Sequence, residues 1–289
     1  MGKVLLILVI IIIVCCVLEN FRELSQFQMT YYDIITDKIN KDCKILFLSD
    51  LHSKEYGTDN CKLLASAKEA KPNIILVGGD MIIGRIAGYN EKTVEFIKEL
   101  SKIAPVYYAL GNHEQRMQEE KELYGDLYEQ YVSALVDAEV HFLINKTQSI
   151  VEENINITGL NIPMVAYEKL KKYDKYSVQD MEAVIGEMKD DTKYNVLLAH
   201  NPTYMSIYKQ WGADLILAGH FHGCAVRIPG IGGIISPQFH FLPKYSGGCY
   251  KSKDKNVIVS RGLGEHTIKV RIFNMPELIV LNLVKEQKF

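Results

Sequence analysis

The sequence predicts an α/β fold whose layers present their chemistry at strand ends, and three observations carry that prediction. Short, continuous apolar runs recur at residues 45–48, 74–77, 106–110, 196–199 and 215–218, the pattern of buried strands. Helical stretches alternate with them at residues 61–69, 94–103, 123–138 and 178–188, so strand and helix layers stack against each other. At the exits of these runs stand polar motifs in series: Asp50-Leu51-His52, Gly78-Gly79-Asp80, Gly111-Asn112-His113-Glu114, Ala199-His200-Asn201 and Gly219-His220-Phe221-His222-Gly223. Carboxylate, amide and imidazole at separate strand ends make the donor inventory of a two-metal hydrolytic site.

The 289 residues, 48% of them hydrophobic, suit one catalytic domain of ordinary size plus a small extra element. A formal net charge of -2 gives no basic footprint, which excludes nucleic acid as a partner. The cysteines, Cys15, Cys16, Cys43, Cys61, Cys224 and Cys249, form no C-x-x-C pair, which argues against a disulfide framework and a zinc ribbon.

Residues 4–18 are apolar without a break, with Lys3 before them and Glu19, Arg22 and Glu23 after. As a helix this run reaches about 22 Å, short of a hydrocarbon core about 30 Å thick, so Lys3 would snorkel and the bilayer thin. A signal peptide and a buried core helix are the alternatives. No A-x-A-like cleavage site follows, and Val14 stands where a lipoprotein signal wants a small residue before Cys15. Few soluble helices are apolar all round. Residues 1–20 therefore read as a single-pass membrane anchor or uncleaved signal. Lys3 leaves the N-terminus in the cytoplasm and the catalytic domain extracytoplasmic.

Residues 21–43 connect the anchor to a domain over 44–289, and Tyr31, Ile34 and Ile35 predict a strand that joins it. Pro72 closes the helix at 61–69, and the helix at 94–103 turns Val94, Ile97 and Leu100 to one side. Residues 141–144 and 155–160 alternate apolar and polar and are expected to pair. The last part is built of short strands at 225–228, 257–260 and 278–283, between loops rich in Gly and Pro.

Asp50 and His52 lie two apart, as do His220 and His222, so in an extended strand exit each pair points to one side: the first can reach a single metal and the second can present two imidazoles to one cluster. Gly219 and Gly223 allow close approach around the second pair. Asp80 can bridge two cations, Asn112 offers a neutral oxygen, and His113, pointing away from its neighbour, faces the substrate. A mixed nitrogen and oxygen set favours Mn, Fe or Zn over Mg. Two divalent metal ions about 3.5–4 Å apart can activate a hydroxide and neutralise a phosphoryl group.

This series, D-x-H, GGD, GNHE, H and GHxHG, resembles the calcineurin-like metallophosphoesterases from about Lys44 to the last strand. The tail, Ser260-Arg261-Gly262-Leu263-Gly264 and Arg271-Ile272-Phe273-Asn274-Met275-Pro276-Glu277-Leu278, is similar to the membrane-anchored or exported YkuE/YaeI-like branch. The resemblance implies a four-layer sandwich of two facing mixed β-sheets flanked by helices. It implies one metal on Asp50, His52, Asp80 and His222, and another on Asp80, Asn112, His200 and His220. His113 would act near the leaving oxygen and Glu114 would orient its loop. A metal-bridging hydroxide would attack phosphorus in line. Branch members often read Gly-His-Thr-His-Gly-Gly-Gln where this chain has Gly219-His220-Phe221-His222-Gly223-Cys224-Ala225, which makes Phe221 a candidate wall of the substrate pocket.

Singly, Asp50, Asp80 and Asn112 fit turn or cap residues as well as ligands; in series they do not. His141, His240 and His266 match no motif and read as structural or exposed. His113-Glu114 is no zincin motif, because Met117 stands where its second His belongs. Arg261 either holds a phosphate or pairs with a carboxylate. Residues 228–245 are rich in Pro, Ile, Phe and Leu, either as a covered loop or as an apolar rim meeting lipid. The expected substrate is a phosphate ester or pyrophosphate, with lipid-linked or nucleotide-lipid compounds as one class. The competitors are a cyclic-nucleotide or other soluble phosphodiesterase, and a non-catalytic scaffold of the same fold.

Overall fold

A computed structural model of the chain describes residues 1–84, 91–169, 175–188, 190–252, 255–265 and 269–287. In chain order the strands are β1 (Gln28–Thr36), β2 (Cys43–Leu48), β3 (Ile74–Val77), β4 (Val106–Tyr108), β5 (His141–Phe142), β6 (Lys146–Ile150) and β7 (Ile155–Leu160). They continue as β8 (Tyr194–Ala199), β9 (Leu215–Ala218), β10 (Arg227–Ile228), β11 (Gly232–Gly233), β12 (Gly248–Ser252), β13 (Lys255–Val259) and β14 (Glu277–Lys285). The helices are α1 (Gly2–Ser25), α2 (Cys61–Ala70), α3 (Glu91–Ser101), α4 (Asn112–Glu119), α5 (Lys121–Tyr124), α6 (Leu127–Val136), α7 (Val178–Ile185) and α8 (Met205–Trp211).

Two six-stranded sheets form, ordered β1-β14-β2-β3-β4-β5 and β12-β13-β9-β8-β7-β6. Both are mixed: β2, β3, β4 and β5 run parallel while β14 opposes β2, and β7, β8, β9 and β13 run parallel while β6 and β12 oppose them. Because successive strand residues face opposite ways, Ile45 and Phe47 pack between the sheets with Ile157, Leu198 and Leu217. Leu46 and Leu48 pack outward with Ile97 of α3 and Leu135 of α6. On the far side, Leu197 and Ile216 meet Met181 of α7 and Tyr208 of α8. The result is helix, sheet, sheet, helix, the layered sandwich expected. The strand foreseen near Tyr31 is β1, parallel to β14 from Gln28 to Thr36.

Three expectations are corrected. Residues 155–160 do not pair with 141–144: β5 lies at the edge of the first sheet beside β4, and β7 pairs with β6 and β8 in the second. The chain changes sheet between them, where Leu143 enters the intersheet core and Asn145 turns with φ 51°. The helix expected over 123–138 breaks into α5 and α6 at Gly125, whose φ of 57° with ψ of -131° no helix accommodates. The polar motif after β4 is the first turn of α4 rather than an extended exit.

Helix α1 continues to Ser25, giving 24 residues and about 36 Å, enough to cross a bilayer. Its most apolar window has a mean hydropathy of 3.1 and is 0% buried, which removes the core-helix alternative. It is a candidate anchor or signal.

Candidate metal centre

The parallel strands deliver the motifs to one end of the sandwich. Asp50 and His52 leave β2, Asp80 leaves β3, Asn112, His113 and Glu114 open α4 after β4, His200 leaves β8, and His220 and His222 leave β9. Asp50, His52, Asp80, His220 and His222 all have positive φ, between 48° and 65°. The extended geometry expected of these exits is therefore wrong; Asp50 and His52 still share a ligand group, whereas His220 and His222 fall in different groups. A left-handed non-glycine residue costs about 1–3 kcal/mol and persists where its surroundings fix it, commonly at functional sites.

Ligand atoms of Asp50, His52 and His222 lie within 4.8 Å of one another, as do those of Asp80, His200 and His220, and of His52, Asp80 and His113. His52 Nε2 sits 3.0 Å from His222 Nε2, and His222 Nε2 3.3 Å from Asp50 Oδ1. Asp80 Oδ2 is 3.1 Å from His200 Nε2 and 3.7 Å from His52 Nε2, so one carboxylate approaches ligands of the first two groups. Asn112 is buried at the head of α4, and its Oδ1 has no hydrogen-bond partner; neither has the buried Nε2 of His220. Buried acceptors left without donors are costly unless something electropositive meets them. His200 Nδ1 meets the Gly78 carbonyl at 2.7 Å and so keeps Nε2 free to ligate. The donor set therefore fits divalent metal.

Electrostatics agree. Burial alone would lift the Asp80 carboxyl, but His200 and His113 hold it well below the usual range. Burial likewise opposes ionisation of Asp50, and His222 and His200 overcome it. Burial lowers His200, yet Asp80 and Asp50 raise it to about 10. Burial and the neighbouring His200 push His220 down to about 3. Without metal, one proton on His200 offsets part of the carboxylate charge.

Each carboxylate is aimed by a backbone N–H from another motif. The His220 N–H donates to Asp50 Oδ1 at 2.9 Å, and Ser49 Oγ donates to Asp50 Oδ2 at 2.6 Å. The His113 N–H, in the first turn of α4, donates to Asp80 Oδ1 at 2.8 Å. Glu114, fully buried, accepts from the Asp80, Met81 and Gly111 N–H groups and the Tyr108 hydroxyl at 2.7–3.1 Å. Burial and Asp80 lift its carboxyl to about 7, and its four donors occupy both oxygens. It ties the β3 and β4 exits together, more than orienting the His113 loop alone. Gly219 must be glycine: a Cβ there would collide with the carboxylate of Asp50 and with Ser49 Oγ.

The Gly84 N–H donates to His113 Nδ1 at 3.2 Å, which leaves the other ring nitrogen to carry the proton of the neutral imidazole. Burial keeps that imidazole neutral by lowering its pKa. Phe221 is buried and lines a cavity beside His222. Arg261 lies outside the ligand groups: its Nη2 is 2.6 Å from Glu277 Oε2, the carboxylate pairing weighed as its alternative role. His141 stacks on Tyr107, His240 joins no ligand group, and His266 lies outside the described residues. Motif reading missed Tyr167, whose ring stands edge-on 5.0 Å from His220, because no pattern near it marks it. Asn201 follows His200 in the motif after β8. Its side chain binds the Ala166 carbonyl and Gln238, bracing the β8 exit.

The family model for calcineurin-like phosphoesterases matches residues 43–224. The chain belongs to that family. A relative, phosphodiesterase YaeI of Escherichia coli, is 26% identical over 83% of this chain and 82% of its own length. The uncharacterised metallophosphoesterase YkuE of Bacillus subtilis is 24% identical over 83% of this chain and 78% of its own. Among solved structures, TT1561 of Thermus thermophilus aligns with a TM-score of 0.46 and 15% identity over 77% of this chain and 91% of that one. As a calcineurin-like phosphoesterase with this cluster of candidate metal ligands, the protein is a metal-dependent phosphoester hydrolase.

Proposed function

We propose that the centre is dinuclear and hydrolyses lipid-linked phosphate esters or pyrophosphates. Asp50, His52, Asp80 and His222 hold one ion and Asp80, Asn112, His200 and His220 the other, with Mn, Fe or Zn favoured by the nitrogen and oxygen donors. The observation that carries this reading is Asp80, whose one carboxylate approaches ligands of both groups. When bound, such ions would lower the pKa of water enough to supply hydroxide near neutral pH for in-line attack and would neutralise phosphoryl charge. His113, neutral and carrying a ring N–H, donates to the oxygen of the leaving group. Glu114 and Ser49 hold the carboxylates in register. No covalent phospho-enzyme is required.

The lipid reading rests on what surrounds the ligands. A cavity of about 300 Å³ runs beside His222, lined by Leu24 at the foot of α1 and by Phe221, Ile235 and Phe239. Of its lining, Ile235 and Phe239 stay exposed, and so does Phe241, bridged to Ile235 and 70% exposed. Apolar groups exposed beside a candidate membrane helix suit a substrate whose tail lies in the bilayer. Residues 1–20 would anchor the chain with the domain outside the cytoplasm. The test replaces Phe239 and Phe241 by serine in the full chain and compares a phospholipid-like ester with bis-p-nitrophenyl phosphate. Loss confined to the lipid ester is expected; equal loss, or none, rules the lipid reading out.

A further inference from the structure

The tail motif from Arg271 to Glu277 hydrogen-bonds backbone carbonyls in and beside the loop of His222 rather than the candidate ligand side chains. Asn274 is fully buried, and its Nδ2 donates to the carbonyls of His222 at 2.7 Å and Cys224 at 2.5 Å. His222, Gly223 and Cys224 are three successive left-handed residues, with φ of 49°, 68° and 68°. Such a run is unfavourable for the two that carry a Cβ and needs an outside hold. The Asn274 amide supplies it by gripping the carbonyls at both ends. The second arm is Arg271, also buried. Its Nη2 donates to the carbonyls of Arg261 at 2.8 Å and Gly264 at 2.7 Å, and its Nη1 to that of Asn274 at 3.0 Å. The loop it holds reaches back to the β2 exit, where the Leu263 N–H donates to the Ser49 carbonyl at 3.1 Å and the Gly264 N–H to that of Asp50 at 2.5 Å.

The same motif meets the foot of α1. Both carboxylate oxygens of Glu23, itself 1% exposed, accept from the Asn274 N–H at 2.8 Å, and Asn20 Oδ1 accepts from the Arg271 N–H at 2.8 Å. An N-terminal helix that served only as a tether would need no such contacts.

We infer that Arg271 and Asn274 are positioning residues for the metal on Asp50, His52 and His222, and that Glu23 of α1 completes their bracket. The inference rests on the dinuclear reading above. Asn274 grips the His222 loop directly, Arg271 reaches the Asp50 exit through the 261–264 loop, and Glu23 holds the Asn274 backbone; none of these hydrogen bonds goes to Asn112 or His200. Losing the bracket should therefore weaken one ion and spare the other, which general destabilisation would not do. It also makes the last turn of α1 a working part of the metal centre.

The experiment uses the full chain in detergent micelles, metal-stripped and titrated with Mn²⁺, read by calorimetry and by electron paramagnetic resonance. Two neighbouring Mn²⁺ ions give an exchange-coupled spectrum, and one alone gives an isolated-ion spectrum. Wild type should bind two equivalents and show coupling. Asn274→Ala and Glu23→Ala should each weaken one equivalent by about tenfold or more and shift the spectrum to isolated Mn²⁺ at intermediate metal. Glu23→Gln, which keeps an acceptor for the Asn274 N–H, should stay close to wild type and guards against a mere folding defect in the alanine variant. Coupling retained in both alanine variants at wild-type metal concentration, or both ions lost in parallel, overturns the bracket while the dinuclear reading stands. Wild type that shows only isolated Mn²⁺ at saturation overturns the dinuclear reading and the bracket with it.

Discussion

At the scale of single residues, the roles proposed for Asp80 and His113 separate holding metal from doing chemistry. Asp80 approaches ligands of both groups, so Asp80→Ala should abolish turnover and weaken metal uptake together. In the proposed role His113 donates to the leaving oxygen without holding metal, so His113→Ala should keep the metal while turnover falls about 10²–10⁴-fold. Parallel metal analysis and kinetics check both, and equal metal loss in the two variants would contradict the role given to His113. Glu114 belongs to neither class. Replacing it by glutamine points an amide N–H₂ at donors that need an acceptor, and should cost about 2 kcal/mol of stability in denaturant unfolding. His200 carries a proton when metal is absent, with a pKa raised to about 10, so metal must displace it. Below that pH, raising the pH should tighten metal binding, by up to about tenfold per unit, with proton release visible in calorimetry across buffers of different ionisation enthalpy. An affinity flat from about pH 6 to about pH 8 would argue against that competition.

At the scale of elements, apolar runs of four to six residues read directly as β2, β3, β8 and β9, and the donors following them converge as expected. What was not legible was the conformation of the exits. Sequence spacing made Asp50 and His52 neighbours on one side of an extended chain, whereas they converge through left-handed turns held by bonds from other motifs. Period-two alternation also could not tell which sheet 141–144 would join, because the sheet change at Leu143 to Asn145 depends on tertiary contacts. Arg271 and Asn274 were visible as a family-like tail, but their grip on the β9 exit depends on a fold in which residues fifty apart meet. Close approach yields a prediction here: Gly219→Ala pushes a methyl into the Asp50 carboxylate and should weaken metal binding by about tenfold or more with the sheets intact, as metal titration and circular dichroism would show.

At the scale of the whole molecule, the sandwich brings two sets of parallel strand ends together, the candidate metal centre lies where they meet, and α1 stands at its edge. Helix, cavity and exposed Phe239 and Phe241 lie on that one side, the arrangement from which the lipid substrate is proposed. The account depends most on two metals acting together in the protein. Metal-stripped full-length chain in detergent, titrated with Mn²⁺ while hydrolysis of bis-p-nitrophenyl phosphate is followed, tests this directly. No turnover is expected without metal, full turnover only as the second equivalent binds, and none at any metal level in Asp80→Ala. Turnover that is complete at one equivalent, or that persists in stripped protein, would contradict the joint action of two metals.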